Sequence, residues 1–141
     1  MAMLLNATIT TAVTAAVTTA LQLKDGACES IAFQANFTYG SGGTTATAWV
    51  QTSFDGGATW CDVENFAFTT SSLRVVANIS ALTVITTPQT ATDGSLASNS
   101  GSGGLIGTHW RVKYTTTGTY AGGTTLRVDA VPNRGKFTSL T

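Results

Sequence analysis

Three times in this chain a cluster of glycines separates two runs of β-branched and aromatic residues. The clearest case is Ser53-Phe54-Asp55-Gly56-Gly57-Ala58-Thr59-Trp60. The others are Tyr39-Gly40-Ser41-Gly42-Gly43-Thr44-Thr45 and Tyr120-Ala121-Gly122-Gly123-Thr124-Thr125. Tight hairpin turns need backbone with positive φ, which glycine adopts without a steric cost. A chain punctuated in this way folds into antiparallel strands joined by short turns. Threonine makes up about a fifth of the residues, and its branched side chain packs well on a pleated surface. The fold class expected is therefore all-β.

Side-chain alternation places the strands. Over 29–39, Ile31, Phe33, Ala35, Phe37 and Tyr39 share one face, with Ser30, Gln34, Asn36 and Thr38 on the other. Over 44–54, Ala46, Ala48, Val50 and Thr52 oppose Thr47, Trp49, Gln51 and Ser53. Further strands are expected over 59–68, 109–117 and 124–131, and one or two over 8–23. A turn is expected at Lys24-Asp25-Gly26. The run 73–86 is rich in Val, Ile and Leu and reads as a central strand ended by Pro88. Residues 89–107 are Gly/Ser-rich and read as a long surface loop. The count is seven to nine strands. They form one antiparallel β-sandwich over 1–131, with jelly-roll connectivity open to it, followed by a short tail over 132–141.

Only 10% of residues are charged, against roughly 25% in average globular proteins, and net charge is zero. A surface so sparsely charged favours association. The basic residues Arg111, Lys113, Arg127, Arg134 and Lys136 lie late in the chain, opposed there only by Asp129. The acids Asp25, Glu29, Asp55, Asp62, Glu64 and Asp93 come earlier. Such asymmetry can guide head-to-tail contact between copies. The basic residues are scattered and the chain is not basic, so no nucleic-acid partner is expected. The N-terminus has neither a basic segment nor an apolar core, so neither a signal peptide nor a membrane span is expected. Cys28 and Cys61 match no metal spacing, and two free thiols suit a reducing cytoplasm. The Asn-x-Ser/Thr sequences at Asn6, Asn36 and Asn78 are what a threonine-rich chain produces by chance.

Candidate chemistry is thin. His109 is the only histidine and no nucleophile motif accompanies it. Asp62-x-Glu64 puts two carboxylates on one strand face by simple alternation, but two ligands do not make a metal site. The glycines of 101–107 lack the Lys-Ser/Thr ending of a phosphate loop. No cofactor, metal or catalytic residue is expected. Trp49, Trp60 and Trp110 offer a sugar-stacking platform, against the commoner role of a tryptophan buried between sheets.

Two resemblances carry further. Ser53-x-Asp55-x-Gly57-x-Thr59-Trp60 resembles the Asp-box of sialidases and related propellers, present here in one copy and without the sialidase catalytic residues. The resemblance implies that Ser53 and Asp55 tie the turn together with Gly57 and Thr59, and that Trp60 anchors it in the core. The second resemblance is carried by four segments. They are Trp49-Val50-Gln51-Thr52-Ser53-Phe54-Asp55-Gly56-Gly57-Ala58-Thr59-Trp60-x-Asp62-Val63, Phe66-Ala67-Phe68-Thr69-Thr70, Asp93-Gly94-Ser95-Leu96-Ala97, and the stretch from Arg111 to Leu126. Together they resemble small virion structural proteins of tailed bacteriophages, over roughly Trp49 to Val131. The resemblance implies a non-enzymatic virion subunit assembled in the bacterial host cytoplasm. The first choice is a capsid decoration or cement protein bound to the major capsid protein and to copies of itself. A head-tail connector or tail component, or a carbohydrate-binding adhesion module, are the alternatives. Leu96, Leu105 and Ile106 in the loop, and Arg134 and Lys136 in the tail, are the candidate interface residues.

Overall fold

The computed structural model describes residues 1–25 and 28–140, and no helix occurs among them. Nine strands have four residues or more: β1 (Ala2–Thr8), β3 (Leu21–Lys24), β4 (Ser30–Thr38), β6 (Thr45–Ser53), β7 (Cys61–Phe68), β8 (Leu73–Ser80), β9 (His109–Thr117), β11 (Thr125–Pro132) and β12 (Lys136–Ser139). Three more, β2 (Ala16–Val17), β5 (Ser41–Gly42) and β10 (Tyr120–Ala121), are two-residue pairings. The first sheet has the order β1-β11-β4-β8. The second has the order β12-β3-β9-β6-β7, with β2 beside β9, while β5 and β10 form a small ribbon. Every pairing is antiparallel.

The connectivity is that of a jelly roll. If β1, β3, β4, β6, β7, β8, β9 and β11 are taken as first to eighth, the sheets read 1-8-3-6 and 2-7-4-5. This is the strand order of two interlocked Greek keys. β12 adds a ninth strand beside β3.

The alternation read from the sequence sets the core. In β4, Ile31, Phe33, Ala35 and Phe37 are buried; in β6, Ala46, Ala48 and Val50 are fully buried. Aromatic rings bridge the two sheets. Phe33 of β4 lies 6.0 Å from Trp110 of β9, and Phe37 stacks 5.1 Å from Phe68 of β7. Tyr120 meets Phe37 edge-on at 5.6 Å and donates its hydroxyl to the Thr69 carbonyl. Each buried ring is worth about 2–3 kcal/mol in transfer terms, and the edge-on pairs add to that.

Three expectations are corrected. The run 73–86 is not a central strand: β8 stops at Ser80, where the Thr83 amide turns back onto the Ser80 carbonyl, and it lies at the edge of the first sheet. Arg74, Asn78 and Ser80 alternate with Val75, Ala77 and Ile79, which is the signature of a one-sided strand. The segment 132–141 is not merely a tail, because β12 pairs with β3 and Phe137 packs edge-on against Trp110. The first strand begins at Ala2, ahead of 8–23; that stretch supplies β2 and β3. The turn expected at Lys24-Asp25-Gly26 falls partly outside the described residues.

Candidate functional site

The outer face of the second sheet is covered by the chain itself. Asp62 of β7 is 2% exposed and faces outward opposite Gln51 of β6. Its carboxylate accepts the backbone N–H groups of Gly94, Ser95 and Leu96, the Thr92 hydroxyl and the Gln51 amide, all at 2.8–3.1 Å. Successive amides converging on one carboxylate form a nest, which compensates the cost of burying the charge. Gln51, fully buried, also donates to Asp93 and accepts from Arg111 Nε at 2.7 Å. Arg111 and Lys113 approach Asp93 at 3.5 and 3.1 Å. Burial alone would raise the Asp93 carboxyl, but hydrogen bonds from Gln51 and Lys113 and the charges of Lys113 and Arg111 outweigh it and lower it. Further along, the Leu96 carbonyl accepts from Trp49 Nε1 and Asn65 Nδ2. The Ser100 carbonyl and the Ser102 amide then pair with Asn65 and Val63 of β7.

The loop 89–107 is therefore an ordered cover over β6 and β7. The charge asymmetry of the sequence is largely consumed inside the chain: Arg111 and Lys113 meet Asp93, Lys136 meets Asp25 at 3.0 Å, and Arg127 meets Asp129 at 2.9 Å. Four of the five late basic residues are thus paired within the chain.

A bulge in β7 also separates two acids. The register pairs Gln51 with Asp62 and Val50 with Glu64, skipping Val63. Gln51 and Val50 alternate, so Asp62 and Glu64 lie on opposite faces rather than together. Glu64 is 8% exposed, and burial pushes its carboxyl up to about 7. Its Oε2 lies so close to Gly101 that any side chain there would collide with it.

The hairpin at 53–60 has the hydrogen bonds that its resemblance implies. Ser53 Oγ donates to Asp55 and accepts from the Gly57 amide at 2.8 Å. Asp55 accepts the Thr59 amide at 2.8 Å and the Thr59 hydroxyl at 2.6 Å. The Thr59 hydroxyl, then the Thr59 amide and Ser53, lower the Asp55 carboxyl to about 2. Trp60 is not the expected core anchor. It is half-buried on the outer side, donates Nε1 to the Gly57 carbonyl, and carries the Arg111 guanidinium 4.3 Å above its ring. Nor do three tryptophans form one platform, since Trp110 is fully buried in the core with its N–H on the Gly107 carbonyl.

Beside Trp60 lies a cleft of about 440 Å³, walled by Phe54, Ile85, Pro88, Leu96 and Leu105. Four of its five hydroxyls are engaged: Thr52 with His109 and Gly107, Thr59 with Asp55, Thr92 with Asp62 and Ser102 with the Asp62 carbonyl; Thr90 and Gln89 also line it. Among the described residues no group of three or more His, Cys, Asp or Glu comes together. His109 contacts the Thr108 hydroxyl at 2.9 Å. Cys28 and Cys61 are free thiols, and burial raises that of Cys61.

The candidate interface residues separate into two groups. Leu105 and Ile106 are half-buried against the core, and Leu96 is half-buried in the loop. Arg134 and Lys136 are exposed, the latter ion-paired. The apolar surface actually offered lies elsewhere: Val76 is 72% exposed, Leu82 78% and Val84 77%, with Met1, Met3 and Val131 also exposed. On the outer face of the first sheet, Met3, Asp129, Gln34 and Val76 form one row across four strands. A shallow groove there is lined by Met1, Ala32, Val76 and Val131.

In comparisons with known proteins, no family model, no curated protein and no solved structure matches the chain.

Proposed function

We propose that this chain is a non-enzymatic structural subunit of a bacteriophage virion, a decoration or cement protein that binds the major capsid protein. The observation that carries the reading is the contrast between spent polar groups and free apolar ones. The outer face of the second sheet ties its charges and amides together internally. The first sheet and the segment after it leave Met1, Met3, Val76, Leu82, Val84 and Val131 to the solvent. Scattered apolar residues are ordinary, but Met1, Val76 and Val131 gather along one groove, on a face whose charges are Arg74, Arg127 and Asp129, the last two paired with each other, and such a grouping marks an adhesive surface. The jelly-roll frame suits this role, being used by viral capsid and lectin domains, although fold alone does not assign function.

The test is quantitative composition of purified particles together with a Leu82→Asp/Val84→Asp variant. A copy number that scales with the capsid lattice, and lower occupancy in the variant, support the reading. A single ring's worth of copies places the chain at the neck or tail instead. Deleting 95–104 is not a useful test, because it would strip Asp62 and the β7 edge of their partners and perturb the fold.

The cleft beside Trp60 favours a second reading, a glycan-binding adhesion module. Glycan-array binding that disappears in Trp60→Ala would support it. Most of the hydroxyls around the cleft are engaged, which weighs against it, since sugar recognition needs free donors and acceptors.

A further inference from the structure

The four edges of the two sheets are protected very unequally. β7 is covered by residues 100–102, which bond to Val63 and Asn65. β1 is interrupted by a bulge between Met3 and Leu5. β12 is four residues long and begins with Lys136. Short strands, bulges, lysines and covering loops are the usual means of blocking edge-to-edge pairing. β8 has none of them. It runs eight residues, contains no proline, pairs with β4 without a register shift, and carries Arg74 as its single charge. Among the described residues no strand lies on its other side.

We propose that β8 pairs antiparallel with β8 of a second copy, across a two-fold axis at Val76, joining two four-stranded sheets into one of eight. An isologous contact requires a strand complementary to itself, and β8 meets that condition. Directly opposed residues in an antiparallel pair share a face. Centring the pair on Val76 places this most exposed large apolar residue of the strand against its own counterpart, Val75 opposite Ala77, and Leu73 opposite Ile79. Arg74 falls opposite Asn78, so no like charges face each other. The chain's zero net charge adds no long-range repulsion. In the joined sheet the two grooves lined by Met1, Ala32, Val76 and Val131 lie on one side, doubling the apolar face.

The inference rests on the reading of the chain as an assembling subunit, but the two fail separately. The purified chain is weighed by sedimentation at micromolar concentration, and Val76→Cys is oxidised and run on a non-reducing gel. Opposed residues place their Cα atoms about 4.5–5.5 Å apart, within disulfide reach. Expected are a dimer for the native chain, a cross-linked dimer for V76C absent from the native chain with its own Cys28 and Cys61, and a folded monomer for Val76→Arg. Val17→Arg, exposed on the second sheet, should stay dimeric. A monomeric native chain, or a dimer that V76R leaves intact, overturns the pairing. So does a native monomer whose particle binding is lost in V76R, since the edge would then take a strand of the shell protein. A V76R monomer that still occupies particles supports the pairing and leaves the decoration reading standing.

Discussion

Two of the edge strands, β7 and β8, follow each other in sequence yet end in opposite conditions. β7 is buried along nearly its whole length, and beyond it lies a loop that answers its backbone and side-chain polar groups one by one. β8 is exposed at half of its positions and nothing among the described residues pairs with its outer side. A sheet edge is a row of unmet donors and acceptors. In β7 the chain satisfies that row itself; in β8 it is left for something else. The lesson is that composition does not mark which edge is finished. What marks it is a carboxylate, Asp62, able to gather the loop's amides.

The contrast is broken most severely at Asp62. Asp62→Ala leaves three backbone amides and Gln51 without their acceptor in a dry setting, and should cost about 3 kcal/mol or more. Denaturant unfolding measures the loss, and hydrogen exchange at Gly94, Ser95 and Leu96 should accelerate with it. Next comes Glu64. Because burial raises its carboxyl to about 7 from an ordinary 4.5, the folded chain holds a proton that the unfolded chain releases. Its contribution is fully present below about 4.5 and is lost as pH rises through about 7. Glu64→Gln should flatten that part of the stability-pH curve and stabilise the chain at pH 8 by about 2 kcal/mol, read by thermal melts across the range.

Asp55→Asn tests the hairpin that leads into β7. The lowered carboxyl stabilises above its ordinary value near 3.8, and that contribution is lost as pH falls through about 2. The variant should melt lower at neutral pH, by less than the Asp62 variant, and lose protection at the Thr59 amide. The smallest effect belongs to the bare edge. Val76→Thr should change the stability of the isolated chain by no more than about 0.5 kcal/mol, measured by the same melts.

The strands were legible because alternation is a local signal. Ile31, Phe33, Ala35 and Phe37 announce a half-buried strand in any context, and the glycine clusters mark its turns. The jelly-roll order was compatible with that pattern but not dictated by it, since strand adjacency depends on pairings far apart in sequence. The segment 89–107 is a loop, as read, but its order is not legible in its composition. Glycine and serine suggest slack, but Gly101 and Gly107 are required by close approach, to Glu64 Oε2 and to the Ser53 carbonyl respectively. The run 73–86 misled because its apolar content outweighed a visible alternation of Arg74, Asn78 and Ser80. The apolar pair Leu105-Ile106 stood out among polar neighbours because it packs on the core, whereas the exposed Leu82 and Val84 passed as part of a strand.

The extra residue at Val63 reaches further than the local register. Without the bulge, two acids spaced two apart would share one face and repel. With it, one carboxylate becomes the fastening for a lid and its neighbour a proton-holding wedge in the wall beneath. Deleting Val63 would leave the two acids on opposite faces by plain alternation but take a fully buried side chain from the core, whereas drawing it into regular register would turn both acids to one side.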